Sequence, residues 1–182
     1  MRDTIKIRGW AEWVLRDAQG NVKPLWTENR FGKWLRETFG WDLKDVRLFG
    51  QWAPCLHLPN SITTLGHAMA NGRMSNQGSY GVLTVLAIGI GTGGTTTLNS
   101  EITTGGGARA TAGTISQVTT TNANDTTSLV NVWTFTAGFA ITEEGIFDST
   151  TVSGSHMLAY QSFSAINVVS TDQLTVTHKY QT

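Results

Sequence analysis

The sequence predicts a mainly β protein, an antiparallel, jelly-roll-like β-sandwich preceded by an N-terminal β-hairpin and a short helix. Three observations carry this reading. From Gly81 onward, runs of β-branched and aromatic residues recur between turn signals, with no helical period among them. The same stretch is dense in Thr, Ser and Gly and nearly uncharged: residues 51–182 hold three Lys/Arg and six Asp/Glu, against ten and seven in residues 1–50. Six of the seven Trp lie between Trp10 and Trp52. The change of regime places a boundary at residue 80, dividing a Trp-rich arm (1–80) from the sandwich (81–182).

In chain order, Thr4–Asp17 is rich in β-formers, "AQGN" is a turn signal, and "VKPLW" (Val22–Trp26) returns as the second strand of a hairpin, with Pro24 favouring an edge. Over Thr27–Gly40 the period changes: Phe31, Trp34, Leu35 and Phe39 fall on one helical face, with Asn29 to cap the start and Gly40 the end. Residues 41–80 show no clean period and are expected to be irregular. Strands are expected at Val82–Ile90, Ala108–Thr121, Thr127–Ala137, Phe139–Phe147, His156–Val168 and Gln173–Gln181, separated by "GTGG", "NAND", "DSTTVSGS" and "STD".

Composition removes several functions. With 13 basic and 13 acidic residues the formal charge is zero, so no bulk attraction to nucleic acid or an anionic membrane is expected. No apolar run approaches a membrane span. The charged first ten residues lack an apolar core behind them, which predicts synthesis in a cytoplasm without a secretory leader. "GIGTGG" (Gly89–Gly94) matches a dinucleotide-binding pattern after a strand, but the next residues, "TTTLNSEITTGGG", make a poor helix, so a glycine-rich turn is the better reading. His57, His67, His156 and His178 show no metal-ligand spacing. Cys55 and His57 would share a strand face, yet a structural thiol is favoured over a dyad. No catalytic, cofactor or metal residue is assigned.

The early tryptophans interleave with arginines in "RGWAEWVLR" and "RFGKWLR". That is more aromatic surface than a hairpin and one helix can bury, so Trp10, Trp13, Arg16, Trp26, Arg30 and Trp34 are candidates for a partner interface. The adjacent carboxylates Glu143 and Glu144 point to opposite faces of a regular strand, which rules out a shared acid–base dyad. One is expected to be exposed. The other, Glu144 on the face of Ile146, would need donors if buried, supplied by backbone N–H groups of a neighbouring turn, with Gly145 allowing a bulge or close approach.

The segments "IGIGTGG" (Ile88–Gly94), "ITEEGIFD" (Ile141–Asp148), "GSHMLAYQSFSAI" (Gly154–Ile166) and "DQLTVTHKY" (Asp172–Tyr180) resemble, in order and spacing, a C-terminal pattern of tailed-bacteriophage virion proteins. The likeness covers roughly residues 82–182. The N-terminal "IRGWAEWVLRDAQGNVK" and "NRFGKWL" look, more weakly, like that family's opening hairpin and helix, while residues 41–80 depart from it. The resemblance maps the recurrent motif glutamate to Glu143, beside Gly145 and Phe147, as structural residues. It implies a non-enzymatic virion component without cofactors, made in the host cytoplasm. A capsid decoration (cement) protein is foremost, binding the major capsid protein or other virion proteins as a homo-oligomer, a trimer first. The alternatives are a tail, neck or fibre component and a carbohydrate- or receptor-binding module. A glycan-cleaving enzyme would have to pair two of Glu101, Asp125, Glu143, Glu144, Asp148 and Asp172 across a cleft.

Overall fold

The structure, a computed structural model, describes residues 7–41 and 43–181. Strand outweighs helix by 45% to 12%, so the chain is mainly β, and its long antiparallel sheet curls into a half-barrel with a sandwich-like core.

Strand β1 (Arg8–Arg16) alternates cleanly: Ala11, Trp13 and Leu15 are buried, while Trp10, Glu12 and Val14 lie half-buried on the opposite face. The strand start expected at Thr4 lies outside the described residues. Asp17 shapes the turn by accepting from the Gln19 and Asn21 N–H groups at 2.9 Å. The return is shorter than expected. Strand β2 (Val22–Lys23) pairs with β1 for two residues; Pro24 has no N–H to continue the ladder, and β3 (Leu25–Glu28) leaves to pair with β4 (Gly50–Ala53). Between β3 and β4 runs helix α1 (Arg30–Phe39). The Asn29 side chain accepts from the Phe31 and Gly32 N–H groups, and Gly40 closes the helix in the left-handed region at φ 70°.

Residues 41–80 are more ordered than their sequence predicts. Besides β4 they form β5 (Leu56–Ile62) and helix α2 (Thr64–Met74). The buried seam of α2 is Gly66, Met69 and Gly72, so no apolar stripe marks it in the sequence. Gly66 lies directly against the Leu158 carbonyl, where any Cβ would collide.

The remaining strands are β6 (Val85–Gly89), β7 (Ala110–Thr111), β8 (Thr114–Val118), β9 (Thr126–Thr134), β10 (Phe139–Phe147), β11 (Met157–Val168) and β12 (Gln173–Gln181). Strands β10 and β12 span the predicted residues. The segment expected over Ala108–Thr121 is instead broken between β7 and β8.

The main sheet runs β7-β6-β10-β11-β5-β1-β12-β9-β8, with β2 beside β1. Two features curl it. Strand β5 is a corner: Leu56–Asn60 pair with β1, whereas Ser61 and Ile62 pair with Tyr160 and Ala159 of β11. Pro59 is tolerated because that part of β5 has a strand neighbour on one side only. The two ends of the sheet, β7 and β8, are also nearly consecutive in the chain. Thr111 and Thr114 lie no more than about 11 Å apart, so the sheet must come round on itself.

The core lies between the two limbs so formed. Leu86, Ile88, Ile146 and Phe163 from one pack with Trp13, Leu129, Trp133 and Val176 from the other. The Trp13 and Phe163 rings are 4.8 Å apart. Burying each of these side chains contributes about 1.5–3 kcal/mol. Strands β1 and β5 therefore share one sheet and one core with the strands beyond residue 80.

Candidate interaction surface

The six candidate interface residues separate by burial. Trp13 is 0% and Trp26 is 5% exposed, so neither offers a face to a partner. Alternation along β1 turns Trp13 inward, and Trp26 is packed edge-on against Trp52 at 5.6 Å. Arg16 is exposed, but its guanidinium holds the β1–β2 turn through the Gly20 carbonyl at 2.9 Å. Trp10 is half-buried on the outward face of β1, and Arg30 is exposed at the start of α1. Trp34 is half-exposed and belongs to a larger feature.

That feature is a ladder of aromatic rings on α1 and its flanks. Phe49, Phe31, Trp34, Phe39 and Trp41 follow one another at centroid distances of 5.4–5.7 Å. Phe31, Trp34, Phe39 and Trp41 are 50–57% exposed, and Leu48, between this ladder and β4, is 73% exposed. The sequence identifies the apolar face of α1 correctly but not its direction. Of the four residues on it, only Leu35 is buried. Residues Phe31, Phe39, Trp41 and Leu48 were absent from the sequence candidates; the i, i+3, i+4, i+8 spacing on α1 is the signal that includes Phe31 and Phe39. The helix is anchored from its other side, where Glu28 takes the Arg36 Nε–H at 2.9 and 3.1 Å. The half-exposed rings leave on the order of 500 Å² of apolar surface, comparable to the largest patches seen on monomers and a large part of the ~800 Å² that one partner buries in a standard interface.

The two adjacent glutamates behave differently from expectation. Both are 0% exposed, because β10 is covered on both faces. Glu143 faces outward from the β6-β10-β11 limb, under the loop after β6. Its Oε1 accepts from the Ser100 N–H at 2.8 Å and the Gly91 N–H at 3.2 Å; its Oε2 accepts from the Asn99 N–H at 3.1 Å and the Tyr160 hydroxyl at 3.3 Å. Gly89 and Gly91 leave room for this carboxylate, since a Cβ at either would press on Oε1. The glycine-rich loop thus gives amides to an internal carboxylate, and that negative charge disfavours a phosphate in the same place. Gly145 pairs with Ala87 and Tyr160, and the irregularities of β10 flank it rather than fall on it. Phe147 is buried beneath the Arg109 guanidinium, 4.2 Å from its ring centre.

Glu144 faces the core between the limbs. Its Oε1 lies 2.9 Å from Nδ1 of His178 on β12, also 0% exposed, and Nε2 of that ring meets the Asn60 amide from β5. The remaining oxygen, Oε2, has no hydrogen-bond partner among the described residues.

The other carboxylates weighed for catalysis each hold a piece of the scaffold. Glu101 pairs with Arg109, which also donates to the Ser149 carbonyl and the Ser155 hydroxyl. Asp125 ties the β8–β9 turn through the Thr121 and Asn122 N–H groups, and Asp172 takes Lys23 at 2.6 Å. Among the described residues no group of three or more His, Cys, Asp or Glu is gathered for a metal ion. Cys55 is half-buried, and His57 pairs across the strands with Glu12 at 2.8 Å.

Asp148 gives a pH prediction. Burial opposes its charge, but the His156 N–H and imidazole and the Gly81 N–H outweigh that penalty and hold its pKa below the ordinary 3.8. A depressed carboxylate contributes stability that is present above its unfolded pKa and lost as pH falls through the folded value. Urea midpoints should therefore drop as pH falls below 3.8, and Asp148→Asn should lower the plateau at neutral pH while flattening part of that acid slope. An unchanged slope in the variant would contradict this assignment.

Comparison with family models, curated proteins and solved structures finds no match. No helix among the described residues is long and apolar enough to cross a membrane. Fold and surface together define a curled β-sandwich-like protein carrying an exposed aromatic ladder.

Proposed function

We propose that this chain is a non-enzymatic structural component of a tailed-phage virion, and foremost a capsid decoration (cement) protein that docks on the major capsid protein through the aromatic ladder of α1. The ladder is the observation that carries the reading. A surface of half-exposed rings in mutual contact is costly to leave in water and has the make-up of interface hot spots. The carboxylates a hydrolase would use are bonded into the scaffold instead. The phage-like motif supports the same reading: Ile88–Gly94, Glu143 and Tyr160 form one interlocked unit, in which the motif glutamate staples the glycine loop. A partner that binds only the assembled shell stabilises it by mass action. Association of the protein with itself as a trimer belongs to the same proposal. A tail or neck component with this fold is the second reading, favoured by any ladder that docks at a ring rather than on a lattice.

The test is binding to phage heads stripped of accessory proteins, imaged by electron microscopy. Regular density over the lattice is the expected result, and the triple variant Phe31→Ala/Trp34→Ala/Phe39→Ala should bind at least about 100-fold more weakly, with its melting temperature little changed because those rings are half-exposed. Density only at a unique vertex or on isolated tails would move the protein there. Binding to neither, or full binding by the triple variant, would end the proposal.

A further inference from the structure

A cavity of about 550 Å³ lies between the end of α1, the Thr92–Gly93 loop and the irregular stretch of β11. Its size falls within the roughly 300–1,000 Å³ of small-molecule sites. It forms where β11 parts from its neighbours: β5 pairs with β11 only at Ala159 and Tyr160, and the β10–β11 register shifts between the Glu143–Ser162 and Ile141–Ile166 pairs. Two polar groups on its wall are buried without a hydrogen-bond partner among the described residues, Ser164 Oγ and Arg36 Nη2. Ser164 is 6% exposed. Such groups cost about 1–3 kcal/mol each when left unmet, which points to a ligand that meets them.

We infer that this cavity is a binding site for a neutral saccharide. The chemistry of the wall selects that class. Arg36 is already paired through Nε with Glu28, and its Nη2 lies 3.9 Å from Glu37 Oε1, so the guanidinium is neutralised before any anion arrives. Lys33 Nζ lies 3.8 Å from Glu37 Oε1, balances that second carboxylate and disfavours a cation. What remains is a donor, Arg36 Nη2, beside an acceptor, Glu37, opposite a hydroxyl that does both. A sugar hydroxyl accepts and donates at once, and adjacent hydroxyls match this alternation. The Tyr160 hydroxyl is committed to Gly93 and Glu143, so its side chain offers the cavity mainly the ring, an apolar wall for the C–H face of a pyranose. The site adjoins the docking ladder at Gly40 but has none of its rings in its wall, so each is tested by its own variants.

The full chain, ¹⁵N-labelled, is titrated with glucose, galactose, N-acetylglucosamine and rhamnose, with acetate as an anion control. Saturable amide shifts at Thr92, Gly93, Tyr160 and Ser162–Ala165 are expected with at least one sugar, in the millimolar range. Ser164→Ala should weaken binding about 5-fold without lowering the melting temperature, since its hydroxyl supports nothing in the fold. Glu37→Ala, at a surface position, should weaken it by a similar factor. No saturable shift with any of the four sugars, a stronger response to acetate, or sugar binding indifferent to both variants would overturn the assignment.

Discussion

Glu143→Ala is expected to lower the unfolding free energy by roughly 4 kcal/mol and to free the loop after β6 before the rest of the molecule opens. The carboxylate receives three backbone N–H groups and one hydroxyl at a fully buried position. Removing it takes away charge-assisted bonds and leaves the Gly91, Asn99 and Ser100 N–H groups facing a void. Among the described residues no other acceptor is in place for them, because the loop forms no ladder of its own beyond the bridge at Gly89 and Glu101. Glu143→Gln should cost less, since one oxygen still accepts, and Tyr160→Phe should cost about 1–2 kcal/mol because it removes one of the four bonds to the carboxylate and also the acceptor of the Gly93 N–H. Urea denaturation gives the free energies, and amide exchange at Gly91, Asn99 and Ser100 shows whether the loop opens locally. A loss under about 1 kcal/mol with unchanged exchange at those amides would show that the loop is held by Leu98 packing instead.

Glu144→Leu and His178→Leu should each cost about 3–5 kcal/mol, and the double variant carrying both should recover most of it. The pair joins β10 to β12 across the core, from one limb of the curled sheet to the other, with Asn60 of the corner strand as the third member. Both side chains are 0% exposed, so either one alone is a buried polar group without its partner. An apolar pair of similar volume removes both of those penalties and leaves only the half-buried Asn60 amide without its partner, which is why single and double variants should diverge. Denaturation of the two single variants and the double variant, read as a cycle, gives the coupling. Single variants that lose less than about 1 kcal/mol, or a double variant as unstable as the sum of the singles, would show that the two groups do not act as a unit.

Period and turn chemistry made much of the scaffold legible in the sequence. Strand β10, strand β12 and the caps of α1 are local: alternating β-formers between turns define the strands, and Asn29 and Gly40 satisfy the helix ends with their own atoms. That a buried carboxylate here needs turn amides was legible, but not which one: the sequence assigns them to Glu144 beside Ile146, whereas the loop after β6 covers the opposite face of β10 and gives them to Glu143. Helix α2 was not legible, since its seam is built from glycines that pack backbone to backbone and leave no apolar period. The division at residue 80 rested on composition, and composition does not record that β1 lies between β5 and β12.

The candidate surface divides in the same way. The sequence by itself determined that this chain is rich in strand, that α1 has one aromatic face and that the tryptophans crowd into its first third. Only the tertiary structure decided which of those rings are surface. Trp13 and Trp26 are consumed by the core, while Phe31, Trp34, Phe39 and Trp41 are left outside. It also buried both Glu143 and Glu144, one beneath a loop and the other against a strand that arrives some 30 residues later. The physical reason is that side-chain period specifies a face, whereas burial depends on what covers that face, and the cover here comes from segments distant in the chain.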